Sequence, residues 1–145
     1  MPPSDSDNPH SILLVEDNPM DVDLTKRAFA MNKSPVVIEV ASDGEQAIEF
    51  ISQWDRGAAP PCVILLDLKL PKVGGLDVLK KLKEHPLYRR IPVVVLSSSA
   101  EDRDIQSAYA RGANSYIVKE IDFDKFLDIA AHIENYWCNL NVLPH

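Results

Sequence analysis

Asp67 closes the apolar run of residues 62–66, so a carboxylate stands where a buried strand should emerge from its sheet. Upstream, residues 12–15 run into Glu16 and Asp17 in the same way. Downstream, residues 93–96 run into Ser97, Ser98 and Ser99, and the run of Tyr116, Ile117 and Val118 ends at Lys119. In a parallel sheet the C-terminal ends of neighbouring strands share one edge, which brings three carboxylates, a hydroxyl and an ammonium together. Acids this close repel one another unless they share a cation, and the cluster as a whole suits a divalent cation and a phosphoryl group. Mg2+ fits best: it takes octahedral oxygen coordination, keeps some of its waters and typically uses one or two carboxylates plus phosphate oxygens. Mn2+ and Ca2+ are the expected substitutes. The backbone carbonyl of Lys69, in the loop after Asp67, is a further candidate oxygen.

Taken singly, each residue has a plainer reading. Glu16 and Asp17 could cap a loop or the first helix, Ser97 could be a turn residue with Ser98 and Ser99 as competitors, and Tyr116 could be a half-buried strand aromatic. Repetition at successive strand ends is what makes a site of them. Asp67 has two open roles, metal ligand alone or nucleophile. A carboxylate can accept a phosphoryl group to form an acyl phosphate. That transfer needs in-line positioning and charge neutralisation more than acid-base chemistry, so a cation and Lys119 would carry it. No histidine base is required, and His10, His85, His132 and His145 are scattered through tails and helices.

Five strand signals alternate with five helix signals. The strands are read at residues 11–15, 36–41, 62–66, 92–96 and 115–118. Asn18 offers an N-cap with Pro19 at the first helical position, starting a helix to about Met31. Ser42 and Glu45 have capping-box spacing for a second helix to about Trp54. A third helix carries Leu76, Val78, Leu79 and Leu82 and stops before His85 and Pro86. The fourth runs from about Glu101 to Arg111 and ends at Gly112, and Asp122 caps a fifth from Phe123 to about Cys138. This alternation, with apolar β-branched strands, predicts an α/β fold: a flavodoxin-like doubly wound parallel sheet of five βα units in strand order 2-1-3-4-5.

With 145 residues, 46% hydrophobic and 26% charged, the chain suits one domain with a full core. Residues 1–10 read as a flexible tail, 11–138 as the domain and 139–145 as a C-terminal tail. The net charge of −7 offers no general attraction to nucleic acid or anionic membranes. The apolar runs are too short to span a bilayer and the start lacks a signal region, which places the chain by default in the cytoplasm. Cys62 and Cys138 form no metal or redox spacing and read as reduced thiols.

The motifs Ile-Leu-Leu-Val-Glu-Asp-Asn, Leu-Leu-Asp-Leu-Lys-Leu-Pro-Lys-Val-Gly-Gly, Pro-Val-Val-Val-Leu-Ser and Gly-Ala-Asn-Ser-Tyr-Ile-Val-Lys resemble the receiver domain of two-component response regulators over about residues 10 to 138. The resemblance implies that Asp67 takes a phosphoryl group from a phosphohistidine of a sensor histidine kinase. It also implies that Glu16, Asp17, Asp67 and the Lys69 carbonyl hold Mg2+, and that Ser97 and Lys119 grip the phosphate. Tyr116 matches the switch aromatic, and Lys69 and Ser99 match positions that tune dephosphorylation. More narrowly, the chain looks like the single-domain regulators that partner bacterial and cyanobacterial phytochromes. The loop of Ala58 to Pro61, the stretch of Tyr88 to Pro92, the three serines and the ending Ile133 to Trp137 carry that match. One departure is Glu120, where receivers commonly have proline after the lysine; a trans bond or visible strain is expected there.

In the switch that this implies, Ser97 moves toward the new phosphate and Tyr116 turns inward behind it. The apolar excess near Tyr136, Trp137, Leu140, Val142 and Leu143 points to a homodimer or a docked protein, on a face that includes Tyr116 and Phe123. The lysines and arginines of and after the third helix, Lys83 among them, read as a solvated face, and neither a DNA-reading domain nor a single-strand groove follows. A Mg2+-dependent phosphohydrolase with an aspartate nucleophile is the enzymatic rival, but it expects a second acid where Lys69 stands. A receiver-shaped module that never takes phosphate is a third reading. Nucleotide or flavin binding lacks a Walker loop or a Gly-x-Gly-x-x-Gly turn.

Overall fold

The register of five parallel strands decides where every site residue ends up. The computed structural model describes residues 10–32, 36–119 and 122–143. The strands are β1 (His10–Val15), β2 (Val36–Ala41), β3 (Val63–Leu66), β4 (Val93–Ser97) and β5 (Ser115–Val118), in the order β2-β1-β3-β4-β5. All pairings are parallel, as the alternation predicts. The helices are α1 (Pro19–Ala30), α2 (Gly44–Asp55), α3 (Gly75–Glu84), α4 (Asp102–Ala110) and α5 (Phe123–Ile133).

Side chains alternate across a strand, and here both sets are apolar because both faces are covered. Leu13, Val15, Ile64, Leu66, Val93 and Val95 pack against α2, α3 and α4. Ile12, Leu14, Val63, Leu65, Val94 and Leu96 pack against α1 and α5. In the inner strands β3 and β4 polar groups are pushed to the ends, since a charge inside either layer would lose its hydration, whereas edge strand β2 carries Glu39 half-buried.

Most helix boundaries follow their caps. Asn18 accepts from the N–H groups of Met20 and Asp21, and Asp122 accepts from Asp124. The N-cap of α2 is Asp43 and not Ser42: its carboxylate accepts from the Gln46 N–H, while the Gln46 side chain accepts from the Ser42 N–H. The reciprocal box is thus made one residue later than the Ser42–Glu45 spacing suggested. The last helix also departs from expectation. Regular α-helix stops at Ile133, and Glu134–Leu140 winds as a wider π-helical segment. The tail expected over residues 1–10 lies outside the described residues, except for His10, which opens β1.

Two other side chains differ from their sequence reading. Lys83 is turned inward, donating to the carbonyls of Arg89 and Ile91 and to the Asn114 side chain, so it braces the α3–β4 connection and leaves the solvated face. Cys62 and Cys138 are not free thiols but form a disulfide, with Cα atoms 5.4 Å apart across 76 residues of chain. The pair was invisible in the sequence because the π-helical segment, and not a spacing motif, carries Cys138 back to the start of β3. In a reducing compartment the two would be thiols packed together.

Closing 76 residues of chain corresponds to about 4 kcal/mol in the chain-entropy account. Adding dithiothreitol should therefore lower the urea midpoint, by up to that equivalent. A Cys138→Ser chain should match the reduced protein and ignore the reductant.

Candidate functional site

Val15 and Leu66 are register partners on adjacent strands, so the residues that follow them emerge side by side. The Asp67 N–H donates to the Val15 carbonyl and the Glu16 N–H to the Ala41 carbonyl, both at 3.0 Å, so the ladders fix both backbones. One carboxylate oxygen from each of Glu16, Asp17 and Asp67 lies within 4.8 Å of the others. Glu16 is 3% exposed, Asp67 is nearly as buried and Asp17 is exposed, so the trio has one wet side. Three hard oxygen donors open to water on one side fit a divalent cation that retains part of its hydration.

The Lys119 N–H donates to the Ser97 carbonyl at 2.8 Å, which brings β5 to the same edge. The Lys119 ammonium reaches across to Glu16 Oε2 at 2.6 Å, Asp21 Oδ2 at 3.1 Å and Asp67 Oδ2 at 3.2 Å. Burial works against this ammonium. The Glu16 bond, the charges of Asp67 and Glu16 and the Asp21 bond outweigh burial and hold Lys119 above the ordinary lysine range. Burial also pushes the Glu16 carboxyl up, from 4.5 to about 7, with the Asp67 charge adding to it and the bonds from Lys119 and Asn18 opposing it. The two partners are thus shifted for different reasons: desolvation dominates for Glu16 and the surrounding acids for Lys119.

Lys69 lies where its N–H donates to Asp67 Oδ1 at 3.0 Å, and its side chain is exposed. Ser97 is fully buried, its hydroxyl accepting from the Ser99 N–H at 3.1 Å. The Ser99 hydroxyl donates to Asp104 at 2.5 Å, and the Ser99 carbonyl accepts from the Tyr116 hydroxyl at 2.8 Å. Ser97, Ser99 and Tyr116 therefore form one hydrogen-bonded chain, with the Tyr116 ring already packed on the α2–α4 side of the core. Beside it a cleft of about 340 Å³ is lined by Lys69, Gly75, Ser97, Asp104 and Arg111, among others. The Lys119–Glu120 bond lies outside the described residues.

The four aromatics expected on one partner face are divided. Tyr116 packs on the α2–α4 side, whereas Phe123 and Trp137 pack on the α1–α5 side and Tyr136 is exposed, edge-on to Trp137. A shallow apolar hollow of about 370 Å³ lies there, between Ile117, Ile129, His132, Ile133, Tyr136 and Trp137. His85 serves the fold: its Nδ1 accepts from the Leu87 and Tyr88 N–H groups and its Nε2 meets Asp55 at 3.2 Å.

Sequence reasoning missed two residues at the site. Asp21 reads as an acid in the first turn of α1, an ordinary place for one, and only the fold shows it beside Lys119. Gly75 is the other. A Cβ there would come within 2.3 Å of the Asp67 carbonyl oxygen, so only glycine lets α3 start against the backbone that carries Asp67. The pair Gly74-Gly75 was the available signal.

Comparison with known proteins agrees with this geometry. The family model of the response regulator receiver domain matches residues 12–131. The probable methanogenesis regulatory protein FilR2 of Methanothrix harundinacea (strain 6Ac) is 38% identical over 97% of this chain and 91% of its own length. The phosphorylated cyanobacterial phytochrome response regulator RcpA superposes with a TM-score of 0.87 at 37% identity, over 95% of this chain and 100% of that one. The Mn2+-bound form of response regulator Rcp1 superposes with a TM-score of 0.83 at 33% identity, over 94% and 100%.

The raised Glu16 carboxyl sets a pH dependence. Below about 7 the Glu16 proton competes with a cation, so calorimetric Mn2+ affinity should rise up to about tenfold per pH unit toward that value and level off above it. Without metal, the folded chain binds that proton more tightly than the unfolded one, so its stability falls as pH rises from 4.5 to about 7. A Glu16→Gln chain should lose both trends.

Proposed function

The chain belongs to the response regulator receiver domain family, and on that premise we propose that Asp67 accepts a phosphoryl group from the phosphohistidine of a sensor histidine kinase, a phytochrome. The observation that carries the proposal is the convergence of Asp67, Glu16, Asp17 and Lys119 at one sheet edge. In the transfer, an Asp67 carboxylate oxygen attacks phosphorus in line. The phosphorus–nitrogen bond to histidine breaks, the nitrogen keeps the electron pair and an acyl phosphate forms. Mg2+, held by Glu16, Asp17, Asp67 and the Lys69 carbonyl, supplies charge neutralisation for the phosphoryl oxygens when bound.

The chain's own groups do the rest. The Lys69 N–H already holds Asp67 Oδ1, leaving the Lys119 side of the carboxylate to face the donor. Lys119 neutralises charge that develops on the phosphoryl group. The Ser97 hydroxyl accepts from Ser99, so its own hydrogen is free to turn toward a phosphoryl oxygen. Any such turn pulls on Ser99, and through the Ser99 carbonyl on Tyr116. Phosphorylation then resets the α4–β5–α5 face through this chain of bonds, with a Tyr116 ring that is packed inward before any phosphoryl arrives. Water attack on phosphorus restores the Asp67 carboxylate, and Lys69 and Ser99 flank its approach and set the lifetime of the signal.

Output is by protein contact in the cytoplasm, a reducing compartment in which Cys62 and Cys138 stand as packed thiols. The hollow beside Tyr136 and Trp137 and the exposed Leu140 and Val142 favour a homodimer through the α5 side. Among the described residues no helix is long and apolar enough to cross a membrane.

Intact-mass measurement after a small phosphodonor and Mg2+ should show one phosphoryl adduct, absent from an Asp67→Asn chain and absent without metal. Turnover of small phosphate esters by the unmodified chain, with no adduct, would sink this reading. Sedimentation should show a dimer whose fraction rises with concentration, and a monomer at every concentration, phosphorylated or not, would remove the dimer.

A further inference from the structure

We propose that Asp21 is a positioning residue that keeps the Lys119 ammonium aimed at Asp67 once a cation has drawn on the other acids. The inference rests on Asp67 as the phosphoryl acceptor. An ammonium has three donors, and here they go to Glu16, Asp21 and Asp67. Two of those three acceptors, Glu16 and Asp67, belong to the trio suited to a metal, and Asp21 does not. When the trio's oxygens turn to a cation, Asp21 is the acceptor that has no other claim on it.

Its own placement is fixed from both sides. Asp21 donates its N–H to the Asn18 side chain at 3.3 Å and accepts the Thr25 hydroxyl on its carbonyl at 2.7 Å. The Asn18 N–H in turn donates to Glu16 Oε1 at 3.0 Å, so the first turn of α1 is tied to the cluster it serves. Beside the ammonium lies a pocket of about 30 Å³, room for one water, where Leu14, Leu24, Leu96 and Phe126 meet Glu16, Asp21 and the Thr25 hydroxyl. Inward of Asp21 that lining offers only Glu16, already one of the metal trio, and the Thr25 hydroxyl, which donates to the Asp21 carbonyl, so an ammonium released by Asp21 gains no second carboxylate of its own there. Asp21 sits at the rim, its side chain 38% exposed, close enough to hold Lys119 and outside the metal trio.

A purely structural role would be that of any acid in a first helical turn, favourable to the helix dipole. The test separates the two. The full chain, Asp21→Asn and Asp21→Glu are compared by the 1H–15N signal of the Lys119 ammonium, with and without saturating Mg2+, and by phosphorylation rate with a small phosphodonor. Asp21→Asn should keep the slowly exchanging ammonium signal without metal, through Glu16, and lose it with metal. Its maximal transfer rate should fall about ten- to a hundredfold, while half-saturating Mg2+ and thermal stability stay within about twofold and a few degrees of the parent. Asp21→Glu should restore both signal and rate. An ammonium signal that survives Mg2+ in Asp21→Asn overturns the proposal. So does a transfer rate equal to the parent's, or a loss that merely tracks weaker Mg2+ binding or unfolding. If the parent chain takes no phosphoryl group, it is the acceptor role of Asp67 that fails, and the ammonium signal still decides the part played by Asp21.

Discussion

Carboxylates brought together at the ends of β1 and β3 repel one another, and the Lys119 ammonium among them is what the rest of the site is arranged around. Glu16, Asp17, Asp21 and Asp67 set four acids against that one ammonium. Removing one partner from a buried charged pair costs about 3–5 kcal/mol, because the other charge is left in place without hydration. The excess negative charge is also the reason the site can respond. A divalent cation offsets most of it, and an acyl phosphate carrying about −1.5 to −2 in place of the Asp67 carboxylate puts part of it back. Each step changes which oxygens compete for the same three N–H donors, so occupancy at Asp67 is felt by every group that touches Lys119.

The scaffold holds this arrangement through its backbone. Both sheet faces are packed, and the ladder bonds from Asp67 to Val15 and from Glu16 to Ala41 continue the sheet past the last apolar residue. Close backbone approach does the rest. Gly75 lets α3 begin against the Asp67 carbonyl, and Gly44 lets α2 begin against Val73, where a Cβ would come within 2.1 Å of the Val73 carbonyl oxygen. The loop between β3 and α3 is thereby clamped by two helix starts. Beyond this clamp, hydrogen bonds link Ser97 to Ser99 and Ser99 to Tyr116.

What could be read from the residues alone follows from period and position. Apolar runs of strand length ending in Glu16, Asp67, Ser97 and Lys119 were enough for the converging edge, because parallel register sends strand ends to one side, and the count of five βα units pointed to the strand order. Features set by tertiary contact were not legible. Asp43 takes the cap from Ser42 because its carboxylate also meets Lys72, at 3.5 Å, from the neighbouring loop. Lys83 looks solvated beside its exposed neighbours until its three acceptors are seen on other elements. Asp21 looks like helix-dipole decoration, and the Cys62–Cys138 pair has no spacing signature because 76 residues of fold lie between.

When oxidised, that sulfur link also partitions the chain topologically. It encloses β3, α3, β4, α4, β5 and α5 in one covalent ring and leaves β1, α1, β2 and α2 outside. Asp67, Ser97 and Lys119 lie within the ring, whereas Glu16, Asp17 and Asp21 lie on the open arm. A single peptide cleavage anywhere within the ring leaves one connected molecule. The same cut on the arm, between α1 and β2, severs the acids from the rest and leaves β1 pairing, helix packing and the Lys119 bonds to Glu16 and Asp21 to hold them.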